Sequence, residues 1–433
     1  MGRLADAAVR QQGLVTRIRN DRLVRNSVIY LVGGLGAGLL GYVFHFVTGR
    51  LLGPAQYADV AAVLAALYLA SLPALVVQTV SARFVSLALG RGQGGSIPGL
   101  MVKITGVSLA FGVLGALLLA ALAPFFAGYL QLPRAQLVYL LAIASVVALL
   151  VAANRGALQG MRRFWALSVN AVLDLFVRVA AAAALIAAGL GALGGILALI
   201  AGPLVAYGQA LWLLRQRSDA PAGTGPPLTE VGRYAVSASL AAIGVTYLFN
   251  VDVLLAKHYL PGQVAGVYAA GSILARAVYF LGLTVTAVMF PEVATLHARN
   301  QAHFHIVDRS LIMLGVVGAG LVVAYVAVPG LVLIPYGSSY DPVRPYLGPF
   351  AMALGLLAVS NLLVNYFLSV DSRRFVLPLA GACVLETVLI VAFHDGIAQI
   401  VGMLLVSMAV LSAMLGGLFL LDRARAARVA RSV

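Results

Sequence analysis

The sequence predicts an all-α protein that crosses a membrane about twelve times and is built as two lobes of six helices. Two observations support this fold class: the composition and an internal repeat. Of 433 residues, 62% are hydrophobic and only 10% are charged, and the mean hydropathy is +1.00. A soluble globular chain is far more polar, so this chain is expected to lie in a lipid bilayer.

The repeat is clearest where one apolar segment ends and the next begins. At an offset of 207 residues, Arg50 aligns with Lys257, and Pro54 aligns with Pro261. A second motif, Asn followed eight residues later by Arg-Arg-Phe, occurs at Asn154 and again at Asn365, an offset of 211. A unit this long is typical of the duplicated halves of a transporter, not of a solenoid repeat.

Twelve apolar segments are each close to the roughly 20 residues that a helix needs to cross the hydrocarbon core. Six segments per half is an even number, so the halves should be related by an axis along the membrane normal, as in an inverted V of two lobes. The segments cover residues 27–48, 58–81, 101–123, 137–158, 165–188, 195–214, 234–256, 264–290, 310–334, 346–369, 376–393 and 397–421.

The domain organisation follows from these segments. A basic interfacial stretch precedes the first span, and a linker rich in Pro and Gly separates the lobes. The predicted units are the N-terminal segment 1–26, the N-lobe 27–214, the cytoplasmic linker 215–232, the C-lobe 233–421 and the basic tail 422–433.

Orientation follows from the distribution of Lys and Arg between alternate loops, because cytoplasmic loops retain positive charge. With the N-terminus inside, 23 basic residues fall on the inner side. The outer side has only four, namely Arg50, Arg134, Lys257 and Arg344. Both termini are therefore predicted to be cytoplasmic, and the basic residues, which lie between spans, indicate no nucleic-acid partner despite the net charge of +15.

Charges inside membrane spans are the best candidates for function, because each costs about 2.5–3.5 kcal/mol on insertion scales. They are expected to face a partner or a water-filled cavity. The candidates are Asp174, Arg178, Asp252, Arg276 and Glu386.

Asn170, Asp174 and Arg178 are spaced four residues apart and share one stripe of a helix. One interpretation is that Asp174 and Arg178 neutralise each other within the helix. The other is that the stripe faces a central cavity opposite Arg276, where two guanidinium groups would suit a diphosphate. The two interpretations are compatible.

Glu386 has no opposite charge within a helical turn, and it is either a carboxylate that couples transport to an ion gradient or a neutral side chain hydrogen-bonded to a neighbour. Asp252 either belongs to a polar cavity or pairs with Lys257 or water near the membrane edge. A further polar stripe, lining a cavity or joining helices, consists of Asn361, Asn365 and Ser369.

Other chemistry is not predicted. The GxGxxG motif at 36–41 lies inside a span without a preceding strand, so it indicates no dinucleotide site, and Gly34 and Gly38 are interpreted as a close-packing surface. No cofactor motif and no nucleophile with a base is found, so the protein is not expected to be an enzyme. No metal site is expected from the three histidines His297, His303 and His305, which lack a Cys or carboxylate cluster.

Several landmarks in the chain resemble a known family. Arg25-Asn26 precedes the first span, and the stretch 48–57 reads TGRLLGPAQY. Further landmarks are Asp252 to Ala270, with the pattern D.lLak followed by aG.Yaa, and Pro291-Glu292 at the end of the eighth span. In these features the sequence resembles the polysaccharide flippases of the multidrug, oligosaccharidyl-lipid and polysaccharide exporter superfamily.

This resemblance implies a flippase that moves polyprenyl-diphosphate-linked oligosaccharide across the bacterial inner membrane by alternating access. Its implied partners are the bilayer, the glycan lipid, H⁺ or Na⁺ as a coupling ion, and glycan polymerase or assembly proteins. Arg178 and Arg276 would contact the diphosphate. The alternative on the same fold is a cation-coupled multidrug or metabolite antiporter. A membrane enzyme or scaffold is a third class. The short outer loops and missing catalytic residues disfavour the enzyme, whereas a scaffold would tolerate neutralisation of all five buried charges.

Overall fold

A computed structural model describes residues 22–215, 233–299 and 301–432, which form helices and short connections without a β-strand. The predicted N-terminal segment and linker lie largely outside this range. In chain order the α-helices are α1 (Arg22–Ala70), α2 (Leu72–Gly90), α3 (Ile97–Ala121), α4 (Ala123–Tyr129), α5 (Gln136–Gly160), α6 (Phe164–Leu185), α7 (Ala192–Arg215), α8 (Arg233–Leu248), α9 (Val251–Tyr259), α10 (Gly262–Ala298), α11 (Phe304–Ala327), α12 (Pro329–Leu333), α13 (Leu347–Ser369), α14 (Val376–Ala392) and α15 (Ile397–Ser432).

Within the described residues, eleven helices are long and apolar enough to cross a membrane, and the shorter apolar helix α14 adds a twelfth. The predicted all-α membrane fold is therefore confirmed. Spans 1 and 2 meet inside α1 at Gly53, where φ is +71° and ψ is 171°. Glycine accepts this left-handed backbone, and Pro54 can begin the next helix because its missing N–H would have no partner there.

In the N-lobe, α1 packs on α6, α6 packs on α7, and α5 contacts α2, α3 and α7. The expected close-packing surface at Gly34 and Gly38 is wrong, because neither position has a neighbour within 4 Å of an added Cβ. Gly33 makes the close contact, since a Cβ there would overlap the side chain of Ser168 on α6. A shift of one residue rotates a helical position by about 100°.

In the C-lobe, α13 is the central helix and packs on α10, α11 and α15, while α14 packs on α15 and α8. The largest buried apolar cluster belongs to this lobe and extends into α1 through Tyr57, Ala58, Ala61 and Ala65. The start of span 2 is therefore part of the joint between the lobes.

The lobes are joined at the membrane end opposite the linker, called here the far end. Lys257 of the C-lobe forms an ion pair with Asp59 of the N-lobe, with Nζ and Oδ1 2.7 Å apart. Arg50, which aligns with Lys257 in the repeat, donates to the carbonyl of Ile334 at 3.1 Å. The two equivalent basic residues thus each reach across to the other lobe.

Aromatic side chains seal the same joint. The hydroxyl groups of Tyr57 and Tyr336 are 3.0 Å apart, and Tyr340 donates to the carbonyl of Gly49 at 2.8 Å. His45 Nδ1 is 3.0 Å from the Tyr57 hydroxyl on the N-lobe side. These groups are buried, so the far end is closed by a dry, hydrogen-bonded layer.

Two further contacts extend this closure to the α4–α5 loop. Gln131 donates to the carbonyl of His258 at 2.7 Å, and His258 Nδ1 donates to the carbonyl of Tyr129 at 2.6 Å. The rings of Tyr129 and His258 also stack, with centroids 3.9 Å apart. Close backbone packing completes the joint, because a Cβ at Gly266 would overlap the carbonyl of Pro54.

Candidate transport cavity and buried charges

A cavity of about 460 Å³ lies between the lobes, bounded by α1, α8 and α10. We call it the central cavity. Its walls include Tyr42, His45, Tyr68, Phe249 and Arg276. The space is therefore aromatic with one arginine, a composition that suits a ligand with an anionic group.

Arg276 is the charged residue of the central cavity, and it is 7% exposed. Nη2 donates to the carbonyl of Phe249 at 2.7 Å, and the guanidinium carbon lies 4.4 Å from the centroid of the Phe249 ring. Nε has no hydrogen-bond partner. Among the ion pairs of the described residues none includes Arg276. Arg276 thus forms no ion pair within 4 Å, although it interacts electrostatically with the buried carboxylate of Asp252.

The N-lobe contains a different arrangement, in which one carboxylate is held between two arginines. Asp174 accepts from Arg155 Nη2 at 2.9 Å and from Arg178 Nη2 at 3.1 Å. Arg155 also donates from Nε to Asn170 Oδ1 at 2.8 Å. The predicted neutralisation of Asp174 by Arg178 is present, and a second arginine leaves the cluster with one excess positive charge.

Asn170 fixes this cluster to α7. Its Nδ2 donates to the carbonyl of Ala206 at 2.7 Å and to Gln209 Oε1 at 2.6 Å. Its oxygen is thereby oriented toward Arg155. The polar stripe of α6 thus forms a hydrogen-bonded network inside the lobe.

Arg155, Asp174 and Arg178 line a second cavity of about 290 Å³, formed by N-lobe residues together with Thr246 of α8. The sequence had placed Arg178 opposite Arg276 in one cavity, but the structure has each arginine in its own cavity. Tyr68 and Thr246 line both. The two guanidinium groups are therefore neighbours across a shared wall, and they form no single clamp in this conformation.

Arg155 was missed as a functional candidate. It is one of the 23 basic residues counted on the inner side, but it lies within α5 (Gln136–Gly160) and not in a loop, and it pairs with a buried carboxylate. The signal was available, since the predicted span 137–158 already contained this residue.

The predicted pairing of Asp252 with Lys257 is also wrong. Asp252 Oδ2 accepts from Ser272 at 2.8 Å and from Tyr268 at 3.1 Å, whereas Lys257 pairs with Asp59. Positions five apart on a helix differ by about 140° around its axis, so the two side chains of α9 point to different neighbours. Asp252 Oδ1 has no hydrogen-bond partner.

Glu386 lies on α14 with none of its surface exposed. Neither of its carboxylate oxygens has a hydrogen-bond partner, so the expected hydrogen bond to a neighbour is absent. α9, which bears Asp252, packs on α14. The C-lobe thus buries two carboxyl groups on adjacent helices with unsatisfied oxygens.

A third cavity of about 560 Å³ lies among α8, α10 and α13. Asn361 and Asn365 line it, and Asn365 Nδ2 donates to the carbonyl of Asn361 at 2.8 Å. Tyr279 and Thr246 line this cavity and the central one. Thr246 is therefore the one residue common to all three cavities, and nothing in its sequence context singles it out.

Residues 23–297 match the family model described as polysaccharide biosynthesis protein. The chain belongs to this family. The matched region includes Arg178, Asp252 and Arg276. No curated protein matches the sequence.

Solved structures are similar in fold. An inward-facing multidrug resistance MATE family transporter of the MOP superfamily has a TM-score of 0.75 at 13% identity, covering 90% of this chain and 95% of its own. A MOP superfamily transporter from Pyrococcus furiosus has a TM-score of 0.63 at 14% identity, with 93% and 95% covered. An outward-facing MATE family transporter has a TM-score of 0.62 at 12% identity, with 95% and 96% covered.

Together these comparisons show a multi-pass membrane protein of the polysaccharide biosynthesis family with a MATE-like fold. The two-lobe architecture predicted from the repeat is the MATE-like one. The bilayer is the surrounding partner that this architecture requires.

Proposed function

We propose that this family member flips polyprenyl-diphosphate-linked oligosaccharide across the bacterial inner membrane for surface polysaccharide biosynthesis. The observation that supports this most directly is Arg276, a buried cation between the lobes that forms no ion pair among the described residues. A drug-sized cation would be repelled at this position. A diphosphate would be bound.

The geometry of Arg276 suits a phosphate ligand. Guanidinium groups bind phosphate oxygens with two parallel N–H bonds, and such charge-assisted bonds strengthen in a low-dielectric cavity. The ring and carbonyl of Phe249 hold the guanidinium group in place, while Nε has no partner yet. The fork is thus positioned before the ligand arrives, which lowers the entropic cost of binding.

The neighbouring cavities would accommodate the rest of the headgroup. Arg178 and Arg155 add positive charge beyond Tyr68, and Asn361 and Asn365 offer amide groups to sugar hydroxyls in the third cavity. Thr246 joins these spaces. A glycan larger than the central cavity would then extend into the space between the lobes.

The far-end contacts define the alternating-access state. With both termini cytoplasmic, as the charge distribution predicts, the far end faces outward and the closed joint seals the outer side. The lobes would therefore be open toward the cytoplasm, where the glycan lipid is made. Export would require the Lys257–Asp59 ion pair to open.

The carboxyl groups of Asp252 and Glu386 are the proposed coupling site for H⁺ or Na⁺. Two carboxyl groups with free oxygens in a low-dielectric lobe gain from binding a cation or a proton. Asp252 is the second residue of α9, and the carbonyl that binds Arg276 belongs to Phe249, three residues earlier. Cation binding at Asp252 would thus act through α9 on Arg276.

The test is a transbilayer assay with purified protein in liposomes. A labelled polyprenyl-diphosphate oligosaccharide is placed in one leaflet, and its appearance in the other is measured with and without a proton or sodium gradient. Arg276→Ala is expected to abolish movement, and Arg276→Lys to retain part of it, because Lys keeps the charge but not the planar fork. Arg344→Ala, on an exposed far-end loop, is the matched control.

The possible outcomes distinguish the flippase from the antiporter and test the site at Arg276. Movement lost only in the Arg276 variants supports the flippase. Equal movement in wild type and Arg276→Ala would contradict the proposed site. Gradient-driven export of small organic cations without lipid movement would assign the protein to the antiporter class.

A further inference from the structure

The largest described cavity lies outside the transport region. It is a groove of about 860 Å³ on the N-lobe between α3 and α7, with α5 forming its floor. The walls are apolar and include Met101, Leu109, Leu211 and Leu214. We call it the α3–α7 groove.

The groove ends in polar groups at the linker end. Arg163 lines it and donates from Nη1 to the carbonyl of Leu213 at 2.9 Å. Asn154, 2% exposed, also lines it, and its Nδ2 has no hydrogen-bond partner. The glycine-rich turn 92–95 and the N-terminus of α3 add backbone N–H groups that favour an anion.

The charge of this region is of one sign. The sequence contains no Asp or Glu between Asp59 and Asp174, so α2, α3 and α5 have no carboxylate. Arg91, Lys103 and Arg162 lie within one or two residues of groove-lining positions. Among the groove-lining residues that the structure describes, a phosphate at this end would meet only positive charge.

The groove faces the surrounding lipid and not the other lobe. Among the described elements, α3 packs on its N-lobe neighbours α2, α4 and α5, and Val102 in the groove is 73% exposed. From Ile97 to Leu109 the helix rises about 18 Å, which is roughly half of the hydrocarbon thickness. An apolar trough one leaflet deep with a cationic end matches a membrane phospholipid.

The corresponding position in the C-lobe lacks this property. By the repeat, Arg163 aligns with Arg374, and Arg374 forms an ion pair with Asp422. A carboxylate neutralises that arginine, whereas a carbonyl is the described partner of Arg163. The anion-binding end is therefore specific to the N-lobe.

We infer that the α3–α7 groove binds an anionic glycerophospholipid from the leaflet at the linker end, with Arg163 and Asn154 on the phosphate and the acyl chain along α3. This lipid is a resident component of the N-lobe, distinct from any transported molecule. The inference does not depend on the proposed substrate.

The experiment uses the full-length protein in nanodiscs made from equimolar phosphatidylglycerol and phosphatidylcholine. After extraction into mild detergent, the lipid that remains bound is counted by native mass spectrometry. Wild type is expected to retain phosphatidylglycerol selectively. Arg163→Ala should lower that retention about fivefold, the effect of one basic residue at an anionic surface.

Gly106→Phe is a second test variant, because it fills the groove, where an added Cβ meets nothing within 4 Å. Two further variants are controls for folding and for net charge. Gly115→Phe places the same ring on α3 outside the groove. Arg374→Ala removes the equivalent arginine of the C-lobe. Only Arg163→Ala and Gly106→Phe should lose the lipid.

Three results would overturn the inference. One is equal retention of both lipids by wild type, and another is an equal loss in Gly115→Phe or Arg374→Ala. The third is stoichiometric displacement of phosphatidylglycerol by a polyprenyl phosphate, which would assign the groove to the transported lipid class.

Discussion

The two lobes share one six-helix plan but bury their charges differently. In the N-lobe, Asp174 has both oxygens occupied by Arg155 and Arg178. In the C-lobe, Asp252 keeps one oxygen free and Glu386 keeps two. Since an unpaired buried carboxylate costs stability and a paired one much less, the C-lobe retains groups that only a ligand would satisfy. The same helical plan therefore carries a different charge arrangement in each lobe.

One pair of aligned positions shows this divergence directly. At the offset of 207, His45 of the N-lobe aligns with Asp252 of the C-lobe. Both contact a tyrosine hydroxyl on the following span, Tyr57 at 3.0 Å and Tyr268 at 3.1 Å. The tyrosines are not themselves aligned, since Tyr57 corresponds to Val264, so each lobe supplies its own hydroxyl partner, to a base in one lobe and to an acid in the other.

The largest expected effect comes from removing the carboxylate that holds the N-lobe cluster. Asp174→Asn leaves two partly buried arginines without a counter-charge, and removing one partner of a buried ion pair costs up to about 3–5 kcal/mol. We expect a much lower melting temperature and a reduced yield of folded protein. The check is thermal unfolding in detergent, followed by size-exclusion chromatography.

The matched change in the C-lobe should behave in the opposite way. Glu386→Gln breaks no hydrogen bond or ion pair of the described structure, so its melting temperature is expected to equal or exceed that of wild type. Its transport, however, should lose dependence on the ion gradient. A large destabilisation in both variants would remove the distinction between the lobes.

A smaller effect is expected at the joint between the lobes. Lys257→Met leaves Asp59 without a partner across the far end, which should weaken the closed state by about 2 kcal/mol, or roughly 30-fold in population. Spin labels at positions 134 and 344, with Cys383 replaced by Ser, would report the far-end distance. The double variant with Asp59→Asn should recover closure, because it removes both charges. A closed distance in Lys257→Met alone would show that the aromatic layer suffices.

The sequence predicted the spans well because each depends on a local run of apolar residues. It also identified most of the buried charges, since a charge in such a run is conspicuous. Their partners were not predictable, because sequence spacing gives depth in the membrane but not which helix lies opposite. Asp59 and Lys257 are 198 residues apart, and they meet only because the two lobes close on each other.

The same limit explains the cavity assignments. Arg178 and Arg276 were both expected near mid-depth, yet a wall formed by Tyr68 and Thr246 separates their cavities. Thr246 could not be identified at all, since one threonine in an apolar helix has no special signal. Helix rotation, which decides such contacts, comes from packing across the whole lobe.

The hydrogen bond from Ser272 to Asp252 tests whether this C-lobe carboxylate binds an ion or is structural. Ser272→Ala removes the 2.8 Å bond to Asp252, with an expected loss of stability of about 1 kcal/mol, because the Tyr268 bond remains. The expected functional change is larger, a shift in the ion concentration at half-maximal transport. An unchanged ion dependence, together with normal folding, would indicate that Asp252 is structural.

The smallest effect separates the two aligned arginines at the linker end. The Arg374–Asp422 pair is partly exposed, at 47% and 18% of the side chains, so solvent screening should limit its contribution to at most about 0.5 kcal/mol. A double-mutant cycle with Arg374→Ala and Asp422→Ala measures this coupling by thermal unfolding, and high salt should abolish it. Arg163→Ala should be as mild for stability, because only one bond to a carbonyl is lost. A coupling well above 1 kcal/mol would make Arg374 a structural clamp, and the contrast with Arg163 would then reflect packing in the C-lobe instead of a lipid in the N-lobe.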